Sequence, residues 1–356
     1  MSMRSSTAAA AAPPPLCESL LSHQLEALAW IGEQTADRRI GALLAHGMGM
    51  GKTVTALAHA LCIHRHRQAA GTAVWRDDDN GRLSTQTPCA PKGPTSSPTI
   101  VIVACPKALV QQWLVEARRW GPILSTRIRL RRADHPSGTD AASVIYEGGE
   151  YPHTAAAVDT VWVDVVDLAA EWASLASRAE PCSVRGPADL ISGRLADAVK
   201  EIHSRVMARI RMKAPAVSPA SSSPLVVVVV GHRRFEMLSS GGDSLLCRIF
   251  MPHCLIVDEA HRVGYVHAAT AGAGGGGGSR RRRLRDPPVK TPPGSAALGT
   301  KLYRAVRDAA CWLANDAARR QSADGHHALV PLLLLTGCAI QNRISEYFAL
   351  LRICVT

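Results

Sequence analysis

A parallel α/β sheet with helices on both faces is the fold this sequence predicts, and three observations predict it. Four short segments are apolar almost throughout: Thr99 to Ala104, Leu225 to Val230, Cys254 to Val257 and Leu332 to Leu335. Strands covered on both faces read as continuous apolar runs, whereas half-exposed strands alternate. Segments of helical period lie between them, so strand and helix take turns along the chain. A glycine-rich turn at Gly47 to Gly51 joins a short strand, Arg39 to Leu44, to a helix that starts at Lys52. In such sheets ligands bind at the carboxyl ends of the strands.

In chain order, residues 1–16 come first; they are mostly Ala, Ser and Pro with Arg4 and no acid, and read as a disordered tail. A mitochondrial presequence has a similar composition. Ser22 is placed to cap a helix whose apolar face is Leu25, Leu28, Ala29 and Trp30. The helix from Lys52 runs to about His64. A polar insertion at 66–98 carries Asp77 to Gly81 and several prolines. Ala108 to Trp120 forms an amphipathic helix with Leu109, Trp113, Leu114 and Ala117 inward. A second insertion at 132–224 contains two helical candidates, Val161 to Leu175 and Leu190 to Met212. A third, at 264–300, holds the glycine run Ala271 to Ser279 and the basic block Arg280 to Arg283. That block fits a nuclear-import signal, a DNA contact or a solvated charge run. Lys301 to Arg320 and Ile344 to Leu351 are the last helices. Residues 17–356 therefore read as one lobe interrupted by long low-complexity insertions.

The formal charge is +12 and only 4% of residues are aromatic, so Leu, Val, Ile and Ala must fill the core. A basic surface suits polyanions such as nucleic acid, or an anionic membrane. The ten cysteines contain no C-x-x-C pair, which argues against a zinc module and a disulfide framework. They read as free thiols. The longest apolar runs are strand-sized, well short of a membrane span. His326-His327 and the histidines near Cys62 lack metal-ligand spacing.

Two motifs carry chemistry. In Gly49-Met50-Gly51-Lys52-Thr53, glycines let backbone N–H groups close around phosphate oxygens. The Lys52 ammonium reaches the β- and γ-phosphates, and the Thr53 hydroxyl ligates Mg²⁺. The bare G-K-T recurs by chance in roughly one chain of this size in ten, so it needs support. The support is Asp258-Glu259-Ala260-His261, which arises by chance in on the order of one chain in several hundred. A carboxylate at a strand tip can hold Mg²⁺ through water, and Glu259 can orient and deprotonate an attacking water. Thr53 and Asp258 are thus the expected Mg²⁺ partners of an ATP site.

The order of motifs resembles the SWI/SNF family of superfamily-two helicase-like ATPases. Ser22 to Trp30 resembles the family's adenine-reading segment, with Gln24 as its glutamine. Leu44 to Thr53 resembles L-A-D-E-M-G-L-G-K-T. Cys105-Pro106-Lys107-Ala108-Leu109-Val110, with Trp113 and Glu116, resembles the segment that meets the DNA backbone. Val226 to Val230 with Gly231-His232 sits where the family has a strand ending in T-T-Y. Asp258 to His261 is the DEAH box. Leu335 to Asn342 resembles L-T-G-T-P-I-Q-N, and Glu346 to Leu351 resembles the family's next segment.

The resemblance implies a RecA-like first lobe that binds ATP and Mg²⁺. Gln24, Gly49, Gly51, Lys52, Thr53 and His261 are the nucleotide-binding candidates, and Asp258 and Glu259 the catalytic ones. Thr336, Gly337 and Gln341 stand at the interface with a second lobe. Pro106, Lys107 and Trp113 are the candidate contacts to duplex DNA, although Trp113 and Trp120 equally read as core. A nuclear location and partners among chromatin or DNA-repair proteins come with the family; a membrane and a small-molecule substrate other than ATP do not.

The departures are specific. His46-Gly47 stands for Asp-Glu, Ala108 for a serine, and Cys338-Ala339 for Thr-Pro. Nothing after Asn342 resembles a second lobe, to which the family's arginine fingers belong. Two functions fit this pattern: the lobe of a DNA-dependent ATPase, weakly active by itself, or a non-catalytic nucleotide- or DNA-binding remnant. A simple P-loop kinase leaves the segments around Gln24 and Gln341 unexplained.

Overall fold

The computed structural model describes residues 20–36, 40–72, 97–132, 142–146, 162–177, 188–213, 223–239, 244–263, 300–324, 331–338 and 344–355. The expected tail, the basic block Arg280 to Arg283, the pair His326-His327, Gln341 and most of the 66–98 and 264–300 insertions lie outside them.

The elements run α1 (Ser22–Ala36), β1 (Gly41–Leu44), α2 (Lys52–Thr72), β2 (Thr99–Cys105), α3 (Val110–Arg127), β3 (Ile128–Arg132), β4 (Ala142–Tyr146), β5 (Val163–Asp167), α4 (Leu168–Ala176), α5 (Ala188–Lys213), β6 (Leu225–Gly231), α6 (His232–Ser239), α7 (Leu245–Phe250), β7 (Cys254–Val257), α8 (Lys301–Asp324), β8 (Leu332–Leu335) and α9 (Ile344–Val355). Six strands form one parallel sheet in the order β1-β8-β7-β2-β6-β5, and β3 and β4 pair antiparallel beside it. The α/β fold expected from the apolar runs is the fold observed.

Those runs have their physical reason in the sheet. Successive side chains point to opposite faces, and both faces are covered. Val101, Val103 and Cys105 of β2 face Ile31, Leu57, Leu61, Trp113 and Leu114 of α1, α2 and α3. Ile100, Ile102 and Ala104 join the opposite core, formed with Val199, Phe235, Phe250, Val306 and Leu350 from the later helices. Five of the free cysteines, Cys62, Cys105, Cys247, Cys254 and Cys354, are buried in these layers.

Three expectations are corrected. Gln24, Ala27, Ile31 and Gln34 form the buried stripe of α1, while Ala29 and Trp30 are exposed. The apolar residues chosen from sequence straddle two sides of the helix; the polar pair closes the stripe. Ser22 does not cap that helix: the Leu21 carbonyl accepts from Gln24 and Leu25, and Gln24 Oε1 accepts the Leu21 N–H at 2.9 Å. That is the reaching-back half of a capping box.

The third correction concerns 132–224, which is not one insertion. Val163–Asp167, expected as part of a helix, is the edge strand β5, paired in parallel with β6. Asp167 caps α4 by accepting from Ala169 and Ala170 N–H. On α5, Val199, Ile202, Val206 and Ile210 are buried. At roughly 1.5–3 kcal/mol per buried aliphatic side chain, that stripe commits α5 to the core. Arg209 clamps it there, bonding Glu171 at 2.6 Å and Asp164 at 3.5 Å.

Candidate nucleotide site

The site lies where the sheet changes hands. The helix after β1, α2, covers one face, and α9 after β8 covers the other. Connections that diverge in this way leave a crevice at the strand ends. Three segments meet there: the glycine turn after β1, Thr336-Gly337 after β8, and Asp258-Glu259 after β7.

The glycine turn has the backbone its sequence demands. Gly49 and Gly51 take φ of +79° and +73°, a region glycine enters freely. A Cβ on Gly51 would also run into Gln24 Nε2. Lys52 folds back over the turn, donating to His46 O at 3.0 Å and Gly47 O at 2.9 Å. A Cβ on Gly337 would stand 3.3 Å from Met48 Cγ and 3.7 Å from Lys52 Nζ, which puts this glycine beside the turn. Gln24 is buried, and its Nε2 points at Met50 O and Gly51 O at 3.4 and 3.5 Å. It thereby ties the start of α1 to the turn.

Two histidines also border the turn, and sequence reasoning assigned neither a role. His23 Nε2 lies 3.0 Å from Met50 O, and its ring meets His46 edge-on at 5.7 Å. Burial holds the His46 pKa below its ordinary value, and the charges of His23 and Lys52 push the same way.

Asp258 is 8% exposed and ends β7 with its N–H on Ala104 O. Its Oδ2 accepts the Trp113 indole N–H at 2.8 Å and its Oδ1 the Glu259 N–H at 2.8 Å. Cys105 is buried close enough to feel the Asp258 charge. Burial pushes its thiol up to about 12, and the charges of Asp258 and Asp167 add to that. Glu259 has φ +50°, a left-handed backbone costing about 1–3 kcal/mol in a non-glycine residue and concentrated at functional sites. Its Oε2 is 3.1 Å from His261 Nδ1, which is also 3.2 Å from Thr336 Oγ1. Thr336 in turn accepts from Cys338 N–H, donates to Cys338 O, and hangs by its own N–H on Leu44 O of β1.

A chain of contacts thus runs from Thr336 to His261 and Glu259. Expected as a nucleotide contact, His261 is placed between the base candidate and the β8 segment. Trp113, a candidate DNA contact, is 1% exposed and turned towards Asp258, so it has no face left for DNA. Pro106 is buried too; Lys107 is exposed. The amphipathic period of α3 made Trp113 legible as core, but nothing in the sequence paired it with Asp258.

Residues 23–144 match the SNF2-related domain family. The similarity to that family is confined to this stretch. It covers about a third of the chain, from α1 through the glycine turn to β4. Asp258 and Thr336 fall outside the match and join the SNF2-related part through the sheet. Among solved structures, the Sulfolobus solfataricus SWI2/SNF2 ATPase core in complex with dsDNA is similar at 12% identity and a TM-score of 0.35. The similarity covers 94% of this chain and 36% of that one, so the chain spans about a third of that structure's length. No curated protein matches.

The residues at these strand tips fit a nucleotide with its metal. The ammonium of Lys52 rests on carbonyls of its own turn, a place phosphate oxygens can take over with better charge complementarity. Among the described residues no group of three or more His, Cys, Asp or Glu side chains could hold a metal. Mg²⁺ is commonly held through one or two protein groups plus phosphates and water.

Proposed function

We propose that this lobe binds MgATP and is the first half of a DNA-dependent ATPase. The observation that carries the proposal is the meeting of Lys52, Thr336-Gly337 and Asp258-Glu259 at three strand tips. Lys52 takes the β- and γ-phosphates, and the N–H groups of the Gly49 to Thr53 turn close around them. Thr53 and Asp258 are the residues that would hold Mg²⁺, which neutralises charge on the phosphates when bound. Glu259 orients the attacking water and takes its proton, while His261 and Thr336 fix the carboxylate. Lys52→Ala is expected to weaken ATP binding by a few kcal/mol, the worth of a charge-assisted phosphate contact. Calorimetry giving equal ATP affinity for both proteins would sink the proposal.

The proposed polyanion is duplex DNA, contacted through its phosphates. The net charge of +12 and exposed Lys107, in the segment resembling a DNA-facing motif, support this. Affinity should fall linearly with salt on logarithmic axes and vary little with sequence. A titration at low salt that detects no binding, or binding indifferent to salt, rules DNA out. A nuclear location and work in DNA repair, transcription or chromatin remodelling belong to the same reading, supported by the family resemblance and the Arg280 to Arg283 block. The described helices include none long and apolar enough to cross a membrane.

A further inference from the structure

We infer that Trp113 is a positioning residue for Asp258, setting the affinity of the site for Mg²⁺ from inside the core; this rests on the nucleotide reading above. The two residues are 145 positions apart, yet the indole Nε1–H reaches Oδ2 at 2.8 Å in a fully buried contact. The other carboxylate oxygen is held by the Glu259 N–H. With one donor on each oxygen, rotation of the carboxylate is blocked, and its remaining lone pairs keep a fixed direction at the strand tip.

The chemistry of the donor matters as much as its place. A carboxylate taken out of water needs hydrogen-bond donors in place of the solvent it has lost. A lysine or arginine would satisfy it, but the positive charge would cancel much of the attraction for a cation. The indole N–H is donor-only and neutral. It satisfies the oxygen and leaves the negative charge for the metal. Core filling alone explains the ring of Trp113, since a phenylalanine would also pack there. It does not explain why the ring's one polar atom meets the acid.

Outer-shell partners of metal ligands are worth about 10–100-fold in metal affinity. In the full 356-residue chain, Trp113→Phe keeps the aromatic ring and removes the N–H. ATP affinity is measured in EDTA and then across a Mg²⁺ titration. The expected result is a 10–100-fold rise in the Mg²⁺ concentration needed for half-maximal effect, with affinity in EDTA unchanged. Leu124→Ala, in the same helix and also buried, should lower the thermal midpoint without moving the Mg²⁺ midpoint.

A measurement on the wild type guards against misfolding of Trp113→Phe. The indole N–H resonance that moves in Asp258→Asn should move again when Mg²⁺ is added to the ATP-bound protein. An unchanged Mg²⁺ midpoint in a folded Trp113→Phe, or an indole spectrum indifferent to Mg²⁺, overturns the role of Trp113 alone. Failure of the wild type to bind ATP with or without Mg²⁺ overturns the nucleotide reading, and this inference with it.

Discussion

Glu259→Gln should lower whatever ATP turnover the protein shows by about 10²–10⁴-fold, the usual worth of a positioned general base. The amide keeps the size of the carboxylate and its reach towards His261, so nucleotide binding should survive. What is lost is the group that accepts the proton of the attacking water. The left-handed backbone at Glu259 aims this side chain away from the path a regular strand end would give it. Strain of that kind persists only where the surroundings enforce it.

The baseline itself should be low. The glycine turn opens to solvent: Met48 is 89% exposed and Met50 42%. Phosphoryl transfer depends on positioning and on charge stabilisation in a site that excludes water. Assayed alone, the 356-residue chain is expected to release phosphate slowly, with little stimulation by duplex DNA. A second lobe from a related protein, added in trans, should raise the rate, and Glu259→Gln should remove the gain. Steady-state phosphate release, with and without duplex DNA, decides the matter. Turnover equal in wild type and Glu259→Gln would favour the non-catalytic reading. Robust DNA-stimulated turnover by the chain alone, lost in Glu259→Gln, would show that the open side of the site does not limit it.

The second large effect is loss of stability on mild acidification. Burial pushes the His64 pKa down to about 3, with the charges of Arg65 and Arg67 adding to it. His64 sits against Thr99 Oγ1 at 2.9 Å, and that oxygen is also a partner of Arg67. Burial likewise lowers His232 to about 4, against an opposing pull from the backbone at Asp258 and Ala104. In the unfolded chain both titrate near 6.5.

Between the two pKa values the unfolded state binds more protons, so stability rises with pH. The contribution is complete above about pH 6.5 and drains away as pH falls towards 4. Each histidine removes about 1.4 kcal/mol per pH unit over that window. Domains are stable by only about 5–15 kcal/mol, so unfolding near pH 4 is the expected outcome. Urea unfolding at pH 7, 6, 5 and 4 tests it. His64→Gln and His232→Gln should each flatten the slope, and a stability independent of pH across this range would contradict the assignment of both as buried neutral rings.

The sequence by itself determined the sheet and the chemistry of its tips. Strands covered on both faces must be apolar at every position, and Leu332 to Leu335 was therefore legible to the residue. The glycine turn was legible because positive φ at Gly49 and Gly51 leaves few alternatives to glycine. The acidic pair was legible because charges directly after an apolar run mark the place where a strand leaves the core.

Tertiary structure alone decided three things. It made Val163–Asp167 an edge strand, whose acids are matched by distant or following segments: Asp164 by Arg209 of α5 and Asp167 by the first N–H groups of α4. It turned α1 so that Gln24 and Gln34 are buried and Trp30 is not, because the partner of Gln24 is the backbone of a turn some 26 residues away. And it brought the Trp113 indole to Asp258. Periodicity reports which side of a helix faces inward; it carries no information about which atom waits there. That depends on the order β1-β8-β7-β2-β6-β5, and strand order is settled by packing between distant segments.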